Sequence, residues 1–336
     1  MQIALDAMGG DCGSQELIAG ALLAVEQTDL NVILVGDEKR IQSDLDSLAP
    51  SRALLSRVDI VHASQVVEMH DNPVEAIRKK KDSSIMVAFE LVKEGKASGA
   101  VSAGNSGATL AAGMRKLGRL KGISRPGLAS SFPTLKSPVV LMDIGANVDC
   151  KPIHLFQFGI MASAYARIHN TPSPRVGILS NGEETGKGNS LVKETYLMMR
   201  DSSLDFVGNV EGRDVYQGDV DVVVCDGFVG NVCLKISEGL ADAAMRMLRD
   251  EIMKSTLAKI GYLLARPAFK LFKKRVDYAE YGGAPLLGIN GIGVVSHGKS
   301  SFHAIKNAIV QAADMERKHV NSMILESLEL EDSRNS

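Results

Sequence analysis

The 336-residue chain predicts an α/β fold: one mostly parallel sheet between two layers of helices, with a helical hairpin projecting from it. Three observations carry that expectation. Short β-branched runs alternate with longer amphipathic stretches, the pattern of strand–helix–strand units that pack helices on both faces of a parallel sheet. Glycine-containing loops follow the strand runs, where parallel sheets bind ligands. No tandem repeat, low-complexity tract or Ser/Gly linker divides residues 1–336, so they are read as a single domain.

Residues 3–5 make the first strand, and Ser14 opens a helix with Leu17, Ile18, Ala21, Leu22 and Val25 on one side. Residues 31–35 (NVILV) and 58–61 are strands, separated by a helix through Leu45 and Leu48. Residues 84–94 are helical and stop at Gly95. Residues 99–102, 139–143, 176–180 and 220–225 are further strands, each leading to a glycine-containing loop and a helix. The longest helical stretch covers 230–276. Gly261 and Pro267 argue against one unbroken rod, so residues 238–277 are expected to project as a hairpin or kinked pair. From Asp332 onward the chain is polar and expected to fray.

Composition narrows the class. With 4% aromatic residues and no Trp, aliphatic side chains and 14 Met must fill the core. A net charge of −2 argues against a general nucleic-acid binder. Cys12, Cys150, Cys225 and Cys233 are scattered without a C-x-x-C pair, which favours reduced thiols over a disulfide framework or a metal site. There is no signal-peptide pattern and no apolar run of about 18 residues, so a cytoplasmic protein is expected, at most lying on a membrane.

Five loops rich in Gly and Asn are candidates for chemistry: residues 6–11 (DAMGGD), 102–109 (SAGNSGAT), 181–189 (NGEETGKGN), 226–231 (DGFVGN) and 280–285 (EYGGAP). Glycine lets a backbone approach an oxyanion, and successive N–H groups ahead of a helix form a nest for phosphate. A single loop of this kind is often only structural; five, with Lys187 and Lys235 nearby, point to an anion site. The phosphate-binding candidates are Asp6, Gly9, Gly10, Gly104, Asn105, Ser106, Gly107, Gly188, Asn189, Gly227 and Gly230. His297 follows a strand and could act as general acid or base, or be structural. Asp6 and Asp226 could position a ligand or cap the next turn.

Nucleotide motifs fare poorly. No G-x-G-x-x-G joins a first strand to a helix. Residues 293–300 (GVVSHGKS) match the P-loop pattern, but Val294 and Val295 look like strand residues inside what should be a loop. The Walker B-like run at residues 222–226 also precedes the match instead of following it. An NTPase is therefore not expected. There is no G-x-S-x-G elbow and no H-E-x-x-H.

These loops, in this order, resemble the phosphate acyltransferase family of bacterial phospholipid synthesis. The resemblance also rests on NPVEAIRKKKDSS from Asn72, ANVDCKP from Ala146, the longer DGFVGNVCLKISEG from Asp226 and EYGGAPLLGINGIGVVSHGKSS from Glu280, and it covers nearly the whole chain. It implies a fold similar to isopropylmalate dehydrogenase and phosphotransacetylase, a homodimer, and no nucleotide cofactor or catalytic metal. It implies transfer of a fatty acyl group from acyl carrier protein to inorganic phosphate. Such a reaction needs a held anion beside a developing oxyanion, which backbone N–H groups and lysines can supply without a protein nucleophile. The catalytic candidates are Asn181, Lys187, Asp226, Asn231, Lys235 and His297, beside Asn105 and Ser106.

Two surfaces complete the expectation. Arg78, Lys79, Lys80 and Lys81 form a basic run suited to an acidic carrier protein, or simply a solvated helix face. Near Pro267, Leu257, Ile260, Leu264, Leu271 and Phe272 fall on one side and Lys259, Arg266, Lys270, Lys273 and Lys274 on the other. That pattern suits peripheral membrane contact through a tip of Leu263, Leu264 and Phe269 together with Leu271 and Phe272, or packing in a dimer or against the sheet. Two other functions stay open: an NAD- and metal-dependent decarboxylating dehydrogenase on the same fold, and a non-enzymatic acyl-phosphate or lipid sensor.

Overall fold

The β-branched runs do pair into one sheet. The computed structural model describes residues 1–169, 171–276 and 282–335. Its strands are β1 (Gln2–Asp6), β2 (Asn31–Gly36), β3 (Val58–His62), β4 (Gly99–Ser102), β5 (Gly127–Phe132), β6 (Val139–Met142), β7 (Arg175–Leu179), β8 (Asp205–Val210), β9 (Val222–Val224), β10 (Ala284–Leu287) and β11 (Gly293–Val295). Among the described residues they make an eleven-stranded sheet in the order β3-β2-β1-β4-β11-β10-β5-β6-β9-β7-β8. β4, β6 and β9 are buried at every position, as continuous apolar runs covered on both faces should be.

The helices are α1 (Ser14–Gln27), α2 (Glu38–Leu48), α3 (Arg52–Leu55), α4 (Pro73–Lys79), α5 (Ser84–Lys93), α6 (Ser106–Leu117), α7 (Pro152–Arg167), α8 (Ser190–Arg200), α9 (Gly227–Lys254), α10 (Thr256–Val276), α11 (Phe302–Arg317) and α12 (Val320–Asn335). One core contains residues of α1, α2, α7, α8, α11 and α12; a second, on the opposite face, contains residues of α4, α5 and α6. This is the three-layer α/β architecture the alternating pattern predicts.

The sheet consists of two parallel blocks that run in opposite directions. β3-β2-β1-β4-β11 form one and β6-β9-β7-β8 the other. Between them β10 and β5 are antiparallel to both of their neighbours. Register brings the blocks' C-terminal ends together at this seam. Ser102 pairs with Val295 and Val295 with Ala284, while Leu286 pairs with Leu128 and Ala129 with Met142. Loops from both blocks therefore converge where β10 begins, a topological switch point of the kind that binds ligands in open α/β sheets.

The hairpin differs from its expectation in one respect. Pro267 lies inside α10, and the turn falls at Ser255, whose backbone is extended and whose Oγ accepts a hydrogen bond from Ala258 N at 3.3 Å. Pro267 is exposed, so water can reach the Leu263 carbonyl that proline leaves without its usual N–H. Leu263 and Leu264 therefore lie mid-helix instead of at a tip. α9 runs outward from Ser237, which hydrogen-bonds Tyr216, and α10 returns to place Arg275 on the Thr134 and Leu135 carbonyls at 3.0 and 2.6 Å. Leu135 N in turn bonds the Tyr216 carbonyl at 2.9 Å, so both legs stand on one base. The outward leg spans roughly 25 Å at 1.5 Å per residue. No described helix is long and apolar enough to cross a membrane.

The C-terminus is also a correction. Residues from Asp332 continue α12 to Asn335, because Glu331 is buried and accepts Ser203 N at 2.7 Å, anchoring the last turns. Glu280 and Tyr281 of the fifth loop lie outside the described residues, as do the side chains of Lys273 and Lys274.

Candidate active site

Two buried aspartates organise the loops at the seam. Asp6, at the end of β1, accepts Met8 N and Gly9 N at 3.2 and 3.1 Å and Ser102 Oγ at 2.7 Å. Ser102 Oγ accepts Gly104 N at 3.0 Å, which draws the first two glycine loops together. A Cβ on Gly9 would stand 2.8 Å from Gly104 N, so no larger residue fits that approach. Asp143, just past β6, has no exposed surface. Its carboxylate accepts the N–H groups of Leu128, Gly145, Ala146 and Asn147 and the Asn147 amide, at 2.7 to 3.3 Å. Burial pushes both carboxyls upward, against the opposing pull of these hydrogen bonds.

α9 starts directly on the Asp143 loop. Its N-cap is Asp226, whose Oδ1 accepts Val229 N at 2.9 Å. A Cβ on Gly230 would lie 1.9 Å from the Asp143 carbonyl oxygen, and one on Gly227 2.7 Å from that of Asn147. The two glycines let the helix seat this low, which brings Asn231, Leu234, Lys235 and Glu238 over the seam.

The result is a crevice of about 280 Å³. Ser130 and Ser131 of β5 form one wall, and Val295, Ser296 and His297 at the end of β11 the other. Gly283 and Ala284 border it at the start of β10, Ile144 and Gly145 come from the Asp143 loop, and Ser106 from the first turn of α6. Polar side chains thus face a lining that also contains Leu128, Ile144, Leu234 and Ala304. Lys235 Nζ lies 2.8 Å from Glu238 Oε2. Ser296 and Ser300 hydroxyls are 2.9 Å apart, and His297 Nδ1 accepts Lys299 N at 3.1 Å, which puts the proton of a neutral ring on Nε2.

A buried tie holds the two sides of the seam. Gln311 of α11 donates to the Tyr165 hydroxyl at 2.6 Å and accepts Gly283 N at 2.8 Å. Tyr165 also hydrogen-bonds Ser131, and burial pushes its phenol up to about 12.

The model of the fatty acid synthesis protein family matches residues 1–323. A phosphate acyltransferase from Pelobacter propionicus is 56% identical over 329 residues, covering 98% of this chain and 94% of that protein. The chain belongs to the phosphate acyltransferase family. It is an acyltransferase. Among solved structures, a phosphotransacetylase from Streptococcus pyogenes superposes with a TM-score of 0.63 at 17% identity, covering 94% of each chain. A 4-hydroxythreonine-4-phosphate dehydrogenase from Klebsiella pneumoniae reaches 0.53 at 15% identity, over 94% of this chain and 98% of that one. At such identities these likenesses concern the fold.

The crevice gathers four of the residues singled out in the sequence, Ser106, Asn231, Lys235 and His297. Asn105 caps α6 through Ala108 N at 3.1 Å and donates to the Met69 and Asp71 carbonyls. Asn181, Lys187, Gly188 and Asn189 sit on the loop after β7, outside the crevice lining. There Asn181 Oδ1 accepts Gly188 N and Asn189 Oδ1 accepts Val192 N, both at 2.9 Å. Gly10 lies against the Ala103 and Gly298 carbonyls, and Gly107 against Pro73 of α4. The P-loop match begins with three residues of β11, so it is not a strand-to-helix loop. Glu183, Glu211 and Asp214 are close enough to share a cation, but the Arg213 guanidinium already lies 3.1 to 3.6 Å from all three. Ser130, Ser131 and Glu238 were not singled out; only the convergence of distant strands and a helix brings them to the crevice.

Proposed function

We propose that this acyltransferase moves a fatty acyl group from acyl carrier protein to inorganic phosphate, giving acyl phosphate for phospholipid synthesis. The observation that carries the reading is the seam crevice, which combines a lysine, an amide, a histidine and several hydroxyls with an apolar lining. The name its relatives carry, phosphate acyltransferase, agrees with it. A phosphate oxygen attacks the thioester carbonyl carbon; the C–O bond forms, the C–S bond breaks, and the phosphate proton ends on the departing thiol. Lys235 and Asn231 hold the anion, and hydroxyl or backbone donors meet the carbonyl oxygen as it gains charge. His297 would move the proton. Phosphate brings its own nucleophilic oxygen, so no side-chain nucleophile is required.

The carrier would dock on α4 and the residues after it. This segment packs beside the first turn of α6, next to the crevice. Lys79 is paired with Glu75 and Lys80 with Asp71, at 2.5 and 2.6 Å, so Arg78 and Lys81 supply the larger share of free positive charge. The exposed apolar face of the hairpin would serve peripheral membrane contact, and the protein would act as a homodimer through another surface.

The test uses purified protein, acyl carrier protein thioester and phosphate, reading free thiol and trapping acyl phosphate with hydroxylamine. Phosphate-dependent thiol release is expected, and its absence at every phosphate concentration would rule the reading out. In the same assay, Arg78→Glu with Lys81→Glu should raise KM for the carrier several-fold while leaving KM for phosphate alone.

A further inference from the structure

The crevice contains one carboxylate where an anion is expected to bind. We propose that Glu238 is the specificity residue that makes the crevice accept a protonated oxyanion and reject a fully ionised one such as sulfate. The inference rests on the reading that phosphate binds in this crevice.

Lys235 and Glu238 are the fully charged side chains among the described residues of the lining. They neutralise one another at 2.8 Å, with Glu238 the more enclosed at 20% side-chain exposure against 53% for Lys235. The crevice therefore offers a salt bridge, not a free ammonium. An incoming anion gains Lys235 only by coming close to Glu238, and like charges at such range repel.

An ionised carboxylate has acceptors and no donor. The encounter becomes favourable only when the anion itself brings a hydrogen. HPO₄²⁻ and H₂PO₄⁻ both carry a P–OH that can donate to Glu238, forming a short, charge-assisted bond. Sulfate near neutral pH carries none. The other polar side chains lining the crevice, Asn231, His297 through Nε2, and the hydroxyls of Ser106, Ser130, Ser131, Ser296 and Ser300, can donate to either anion and so cannot tell them apart. Discrimination falls to Glu238. The same bond would orient phosphate, holding its O–H towards α9 and leaving unprotonated oxygens for Lys235 and for attack.

The experiment compares wild type with Glu238→Gln, whose amide keeps the shape and adds a donor. Acyl phosphate formation, trapped with hydroxylamine, is measured in the presence of sulfate or of arsenate, which carries the same proton as phosphate but gives an acyl arsenate that hydrolyses. In wild type, arsenate should compete and sulfate should compete only weakly. In Glu238→Gln, sulfate inhibition should strengthen about tenfold or more while arsenate changes much less. Equal sulfate discrimination in the two proteins overturns the proposal. Lys235→Met separates the underlying reading: it should raise KM for phosphate strongly. If neither variant altered phosphate KM, phosphate would bind elsewhere and the crevice assignment itself would fall. Should Glu238→Gln not fold, Glu238→Asp, which withdraws the carboxylate by one methylene, must lose part of the phosphate-over-sulfate preference; full retention would overturn the proposal equally.

Discussion

At the crevice, polar groups are drawn inward and matched. Asp143 is 0% exposed and holds five N–H donors. Further out along α9, and through α10, apolar groups face outward: Leu240 is 68% exposed, Leu257 78% and Leu264 79%. One helix belongs to both regions. The difference teaches where function and folding can be separated. The crevice is shaped by buried hydrogen bonds that also hold two strand blocks together, so its supporting residues cannot be altered alone. The hairpin's outer face holds nothing within the subunit together, so its residues can be.

The largest expected effect tests the first half of that contrast. Asp143→Asn keeps the volume but turns an acceptor into a donor facing backbone N–H groups. It should destabilise the protein by about 3–5 kcal/mol in a denaturant titration and abolish thiol release. A loss below about 1 kcal/mol would mean the loop does not depend on its carboxylate. The second test concerns the hairpin. Leu257→Glu and Leu264→Glu should each leave stability within about 0.5 kcal/mol while sharply reducing cosedimentation with anionic phospholipid vesicles. Unfolding of both variants, or undiminished pelleting, would remove the contrast. The smallest effect is chemical. Burial, then the nearby Asp143 and Asp226, push the Cys150 thiol up to about 11, whereas Cys12 is exposed. Thiolate is the reacting form, so at pH 8 only about one Cys150 in a thousand is reactive, rising roughly tenfold per pH unit until about 11. Mass spectrometry after brief iodoacetamide treatment should find Cys12 modified well before Cys150; the reverse order would mean the shell around Asp143 is open.

Much of this was legible in the sequence. The runs that became β1, β2, β3, β4, β6, β7 and β9 stand out as short, largely apolar segments ahead of glycine-containing loops or helices, and the end of β11 through Val294 and Val295. β5, β8 and β10 do not: β5 carries Ser130 and Ser131, β8 carries Gly208 and Asn209, and β10 contains Pro285. Their strand character comes from neighbours distant in sequence. The same holds for the residues that line the crevice. Asn231, Lys235 and His297 stand near glycine loops and could be picked out, but Glu238 is an ordinary helical Glu until α9 is seated over the seam. Conversely, the loop around Lys187 resembles an anion nest in sequence, yet its asparagines bond their own backbone. The turn at Ser255 was hidden because Pro267 is the more obvious helix breaker, although an exposed helix tolerates it.

Strand order has a consequence for the timing of synthesis. The sheet's central pair, β10 and β11, comes from residues 284–295, later in the sequence than every other described strand. Both flanking blocks can leave the ribosome with every one of their other strands before the pieces that weld them exist. Until then β4 and β5 present unpaired edges, the kind of surface that invites wrong partners. Truncation shortly before residue 284 should therefore leave two partly assembled halves with sticky rims.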